Sequence, residues 1–196
     1  MNNLGTITIE TERLILRRFK EDDANDVFNN WANDSEVTKH LTWPTHKSIE
    51  DTKEYLRIVV NEYEDNRIYH WGIELKEINQ VIGDIGGVKY NEDIELVHIG
   101  YCMGKKWWNK GIMSEAFSAI IKFLFEEVKV NRIESRYDPR NIYSGKVMER
   151  CGLKYEGTMK EADRNNQGVC DTAMYGLVRE DYYNEKNKGY KLYEFN

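Results

Sequence analysis

From Thr6 to Phe19 the stretch TITIETERLILRRF alternates apolar and polar positions with a polar break in the middle, which predicts one bent strand or two short ones. Asp22 and Asp23 offer N-cap chemistry ahead of Ala24, Val27, Phe28 and Trp31, whose spacing predicts a helix ending near Asn33. A polar stretch with Pro44 leads to Ser48, a second N-cap, and to a helix carrying Tyr55, Ile58, Val59 and Tyr63. The segment between these two helices is expected to be a flexible loop. Three strand-like runs follow, Tyr69 to Leu75, Val81 to Tyr90 and Ile94 to Met103, and the polar turns KEINQ and NED between them predict an antiparallel meander. After KKWWNKG, the residues Met113, Ala116, Phe117, Ile120, Leu124 and Val128 form a broad apolar stripe, predicting a helix from about Ile112 to Val128. A short strand, Arg132 to Tyr137, precedes a helix from about Ile142 to Cys151 that Gly152 closes at its C′ position. Strands near Tyr155 to Glu161 and Asp171 to Val178 complete the order β-α-α-β-β-β-α-β-α-β-β, an α/β chain that ends in a polar, tyrosine-rich tail.

Composition narrows the class. With 196 residues, 40% of them hydrophobic and only two prolines, the chain can bury a real core and reads as one domain, residues 1–183, followed by a tail, 184–196. No run approaches the ~18 apolar residues of a membrane span. The start, MNNLGTITIETERL, lacks the basic segment and apolar stretch of a signal peptide, so a cytoplasmic protein is expected. Cys102, Cys151 and Cys170 are odd in number and widely spaced, and read as reduced thiols. His40, His46, His70 and His98 show no metal-ligand spacing, and no metal is expected. The net charge of -6 argues against nucleic acid and is compatible with a cationic partner.

The most informative segment is KKWWNKGIMSEA, Lys105 to Ala116, where a short basic loop with Gly111 joins a strand to the strongest helix. Unpaired N–H groups and the positive end of a helix dipole suit a phosphate or pyrophosphate there, and Lys105, Lys106 and Lys110 add charge. A plain surface loop with a helix-entry glycine is the competing reading. The loop is neither a Walker loop nor a GxGxxG fingerprint. A second segment, NIYSGKVMERCGLKYEG, lies about thirty residues downstream, from Asn141 to Gly157. Together the two resemble the GCN5-related N-acetyltransferase (GNAT) superfamily, in which a strand, a pyrophosphate loop and a helix are followed by a strand and an Asn-x-x-Ser helix. TERLILRRF, WWNKGIMSEA, NxxSxxVMERCGLKYEG and the late MYGLVREDYY are similar to the branch containing the Rim-type ribosomal-protein N-terminal acetyltransferases. The likeness spans nearly the whole chain and implies the GNAT fold, a mixed, mostly antiparallel sheet flanked by helices.

The resemblance also implies roles. The strand ending Tyr101, Cys102, Met103 would pair through its backbone with the pantetheine arm of acetyl-CoA, as an added strand does at an open edge. Backbone N–H groups of Asn109, Lys110, Gly111, Ile112, Met113 and Ser114 would cradle the pyrophosphate, and Asn141 would bind the pantetheine. Trp108 and Met113 depart from the common Arg/Gln-x-x-Gly-x-Gly/Ala pattern, which backbone donors tolerate. Many members carry a proton-donating tyrosine seven residues after the asparagine; here that residue is Met148, which counts against a polyamine acceptor. Ser144, one turn after Asn141, would sit near the thiol, a solvent-facing residue being its bland alternative. The carboxylate near the reacting amine would fall on Asp163, which reads equally as a turn aspartate, with Glu95 in reserve.

The chemistry weighs on the acceptor. An α-amine with a pKa near 7.7 is roughly 3.7 kcal/mol easier to neutralise than a lysine near 10.4. A protein N-terminus, such as that of a ribosomal protein, is therefore the favoured acceptor. A small amine (polyamine, aminoglycoside or amino acid) is the alternative, and a non-catalytic CoA-binding protein is a third. The aromatic tail leaves monomer and homodimer both open.

Overall fold

The computed structural model describes residues 1–188. The first alternating stretch divides into two short antiparallel strands, β1 (Ile9–Glu10) and β2 (Leu14–Arg17), because Thr11 closes a turn between them. Its N–H donates to the Leu14 carbonyl at 3.0 Å and its hydroxyl accepts the Leu14 N–H at 3.1 Å. Helix α1 (Ala24–Val27), which widens and runs on through Phe28–Ala32, is anchored by Asp23. That carboxylate accepts the Lys20 N–H at 2.7 Å and grips the Arg17 guanidinium through both oxygens.

The expected flexible loop is instead structured. Asp34 caps a short helix, α2 (Ser35–Thr38), and the turn after it is tied down from a distance. Asn166 donates its N–H to the Leu41 carbonyl at 3.1 Å and its carboxamide to the Thr38 and Trp43 carbonyls at 2.9 and 2.7 Å. Four residues of helix lie below the length at which periodicity can be read. Ser48 caps α3 (Ile49–Glu62) as predicted, sharing a capping box with Asp51. Its buried face is Thr52, Leu56 and Val59; Ile58, expected on that face, points to solvent.

The meander appears as β3 (His70–Leu75), β4 (Gln80–Asn91) and β5 (Leu96–Met103). Then come α4 (Ile112–Phe123, widening through Leu124–Val128), β6 (Arg132–Tyr137), α5 (Ile142–Arg150) and a long hairpin, β7 (Lys154–Asn165) and β8 (Gly168–Val178). The eight strands form one sheet in the order β1-β2-β3-β4-β5-β6-β8-β7, antiparallel throughout except for β5 against β6. Successive strand residues serve opposite faces. Trp71, Ile73, Ile85 and Ile99 join Ala116, Phe117 and Ile120 of α4 in one core, while Val81 and Cys102 join Trp31, Leu56 and Val59 of α1 and α3 in the other. Helices thus cover both faces of a mixed, mostly antiparallel sheet, as expected.

Two expectations are corrected at the C-terminal end. The hairpin strands run longer than predicted, since most of β7 is exposed and shows no one-sided alternation. The start of the expected tail is a helix, α6 (Arg179–Asn187), which crosses the boundary placed at 183. Tyr182 docks it, stacking on Phe125 at 4.8 Å between ring centres and donating its hydroxyl to Glu126 at 2.6 Å. The rest of the expected tail, 189–196, lies outside the described residues. Among the described residues no helix is long and apolar enough to cross a membrane, and all three cysteines are free and buried.

Candidate active site

The parallel pairing of β5 with β6 is short. Leu96, Val97 and His98 face Arg132, Ile133 and Glu134, and the last tie is the Ser135 hydroxyl, which donates to the Ile99 carbonyl at 2.7 Å. Beyond it β6 follows β8 while β5 stays with β4 as far as Met103. The backbone from Gly100 to Met103 is therefore paired on one side only, and the two strands part around a cavity of about 290 Å³. Tyr101, Cys102 and Met103 line it from β5, Trp108, Asn109 and Gly111 to Ser114 from the following turn, Asn141 and Ser144 from the start of α5, and His40 and Leu41 from the segment after α2.

The turn that carries β5 into α4 is bent by two residues with left-handed backbone, Asn109 (φ 60°) and Gly111 (φ 73°). Gly111 stands at the N-cap of α4 with no side chain to satisfy the first turn, and none of the N–H groups from Asn109 to Ser114 donates a hydrogen bond among the described residues. The turn is nevertheless held in place. The Trp108 indole donates to the Met103 carbonyl at 2.7 Å, and Arg13 donates to the Lys110 carbonyl at 3.0 Å. Buried Glu115 binds the β1–β2 turn through the Thr11 hydroxyl at 2.6 Å and through the Arg13 N–H and guanidinium at 3.0 and 2.6 Å. Unpaired N–H groups on a fixed turn, a helix N-terminus, and exposed Lys105, Lys106 and Lys110 fit a pyrophosphate.

Asn141 is the N-cap of α5, and its carboxamide makes no cap hydrogen bond there. Ser144 lies one turn on and meets Tyr101. The Ser144 hydroxyl donates to the Tyr101 hydroxyl at 3.0 Å, which in turn donates to the Ser144 carbonyl at 2.9 Å. Burial pushes the Tyr101 phenol far above its usual range, so it remains a neutral donor. Sequence reasoning assigned Tyr101 a backbone role and missed its side chain, because the contact joins residues 43 positions apart. Met148 is wholly buried in the core. Cys102 faces the other side of the sheet, where its N–H and thiol both donate to Asp84, at 3.2 and 2.9 Å; burial beside that carboxylate keeps the thiol protonated.

The two carboxylates singled out as bases are not among the residues lining this cavity. Asp163 lies on β7 in an ion pair with Arg136 (3.2 Å) and accepts the Arg164 N–H at 2.8 Å. Glu95 precedes β5 at the end opposite the open edge, where it binds Arg179 at 3.0 Å and the N-terminal ammonium. What the cavity does hold is His40, which the sequence presented as one more isolated histidine. Asp138, after β6, faces its ring with Oδ2 at 3.6 Å from Nδ1.

A family model described as acetyltransferase (GNAT) domain matches residues 13–154. N-acetyltransferase p20 of Bacillus licheniformis is 27% identical over 175 residues, 89% of this chain and 98% of that protein. The [ribosomal protein uS5]-alanine N-acetyltransferase of Escherichia coli is 25% identical, with 82% and 84% covered. Among solved structures, a GNAT-family acetyltransferase from Bacillus anthracis superposes with a TM-score of 0.78 at 29% identity, over 89% of this chain and 99% of that one.

Proposed function

Since this chain belongs to the acetyltransferase (GNAT) domain family and is an N-acetyltransferase, we propose that it uses acetyl-CoA to acetylate a primary amine, with the N-terminal α-amine of a protein as the preferred acceptor. The observation that carries the reading is the open edge of β5, Gly100 to Met103, which runs from the turn of unpaired N–H groups to the Ser144–Tyr101 hydroxyl pair. Bound acetyl-CoA supplies an activated acyl carbon as a thioester. Tyr101, Cys102 and Met103 would align the pantetheine through their backbone, and Asn141 would hold it from the other side of the cavity. The N–H groups of Asn109, Lys110, Gly111, Ile112, Met113 and Ser114 would receive the pyrophosphate. Ser144, whose hydroxyl is held by the Tyr101 phenol, would turn its proton to the leaving sulfur.

Two considerations support the finer choice of acceptor. The amine must be neutral to attack, which favours an α-amine over a lysine by roughly 3.7 kcal/mol. The E. coli relative is named for acetylation of an alanine of a ribosomal protein. The test is thiol release from acetyl-CoA with peptides bearing free N-termini, with polyamines and with aminoglycosides. Fastest turnover is expected with the peptides. Turnover confined to a polyamine or an aminoglycoside would replace the protein acceptor with a small amine, and silence across the panel would end the catalytic reading.

A further inference from the structure

Acetyl transfer needs a group to take the proton that the attacking nitrogen loses, and neither expected carboxylate reaches the cavity. His40 does. It lines the same cavity as Tyr101 and Ser144, on the turn that Asn166 pins through the Thr38 and Leu41 carbonyls. Its side chain is 12% exposed, and Nδ1 is buried with no hydrogen-bond partner. Asp138, 3% exposed, faces Nδ1 with Oδ2 at 3.6 Å. Asp138 is fixed in turn: Arg140 binds both its oxygens, and Asn165 donates to Oδ2 at 2.7 Å. A buried ring nitrogen that faces a carboxylate carries the proton, since the other tautomer would set two lone pairs against each other. The lone pair is then on Nε2, which makes no hydrogen bond among the described residues.

We propose that His40 is the base that removes the proton from the acceptor amine, with Asp138 as the residue that positions and orients it. The inference rests on the acetyltransferase reading above. The amine nitrogen gives its lone pair to the acyl carbon and a carbon–nitrogen bond forms. Its proton passes to His40 Nε2. The carbon–sulfur bond breaks with its electron pair on sulfur, which takes a proton from Ser144; His40 then returns the amine's proton to solvent, and Ser144 takes one proton back from solvent. The charged groups facing His40 are Asp138, Lys39 and Arg140, and Lys39 is itself paired with Glu36 at 3.2 Å. Burial outweighs Asp138 and lowers the imidazole pKa, so the ring is in its basic form at neutral pH.

The test uses the full chain and whichever panel amine releases thiol fastest. His40→Gln is expected to lower kcat by about 100-fold at pH 7, with acetyl-CoA affinity by calorimetry within about twofold of wild type. Added imidazole should restore rate to His40→Ala, a response that a structural role would not give. Asp138→Asn should shift the acid limb of the kcat profile to lower pH, because the imidazole loses its anionic neighbour. Wild-type kcat in His40→Gln across pH 6 to 9 would overturn the proposal. So would a slow His40→Ala that imidazole cannot rescue and whose pH profile is unchanged. Failure of the parent reading is separate: the wild-type protein itself would then release no thiol with any amine.

Discussion

The family resemblance implied Ser144 near the thiol and Asp163 near the reacting amine, and the structure treats the two differently. Ser144 shares a hydroxyl pair with Tyr101 inside the cavity, whereas Asp163 spends its charge on Arg136 along β7. Ser144→Ala is therefore expected to lower kcat by about ten- to a thousandfold and to leave the KM for acetyl-CoA nearly unchanged, since proton donation to sulfur matters in the transition state. Asp163→Asn should keep kcat within about threefold; steady-state kinetics on both variants at pH 7 separates them, and a larger loss in Asp163→Asn would return the base to β7. Ser144 was legible because an Asn-x-x-Ser helix is a local pattern. The Tyr101 hydroxyl and the His40–Asp138 pair were not, because these contacts join β5 to α5 and the segment after α2 to the residues just past β6. No spacing along the chain encodes such pairs.

Whole elements were legible in proportion to how much apolar surface they bury on one side. Helix α4 buries a broad face, and its stripe announced both ends. Helix α6 buries Tyr182 alone, and β7 is exposed along most of its length, so neither shows a readable period. The turn before α4 shows the same division. Gly111 was recognisable as a helix-entry glycine, but the brace from Glu115 to Thr11 and Arg13 spans about a hundred residues of sequence. At Gly111 the backbone has a φ of 73°, which proline cannot adopt, and proline also lacks the N–H that an anion would need. Gly111→Pro is expected to weaken acetyl-CoA binding by more than about 100-fold, while Gly111→Ala, at roughly 1–2 kcal/mol of left-handed strain, should lose about tenfold. Calorimetric titration checks both, with circular dichroism to verify the fold. Equal, wild-type affinities would move the pyrophosphate away from this turn.

For the whole molecule, the buried titratable groups set how stability depends on pH. His98, 5% exposed against Glu134, and His46, bonded to Thr52, both have lowered pKa values, chiefly through burial, and His40 shares that direction. A histidine kept neutral by the fold binds fewer protons than it does in the unfolded chain. Its contribution to stability is thus present above the unfolded pKa of about 6.5 and is lost as pH falls toward the folded value. While the unfolded chain alone takes up the proton, each such histidine contributes a slope of up to about 1.4 kcal/mol per pH unit. Burial alone would raise the Asp138 carboxyl, but its bonds to Arg140 and Asn165 hold it well below the usual range, which extends the loss below about pH 4. The alkaline side has the opposite slope. Burial pushes the Tyr90 phenol and the Cys151 thiol up to about 12, so both stay neutral in the fold while the unfolded thiol ionises from about pH 8.5. The melting temperature should therefore hold a plateau between about pH 7 and 8.5 and decline on both sides, first on acidification below about 6.5. A scan from pH 4 to 10 tests this, and His98→Gln should flatten the segment between about pH 6.5 and 5 relative to wild type. A wild-type melting temperature that stays level or rises from pH 7 to 5 would mean that the buried histidines are already charged in the folded protein.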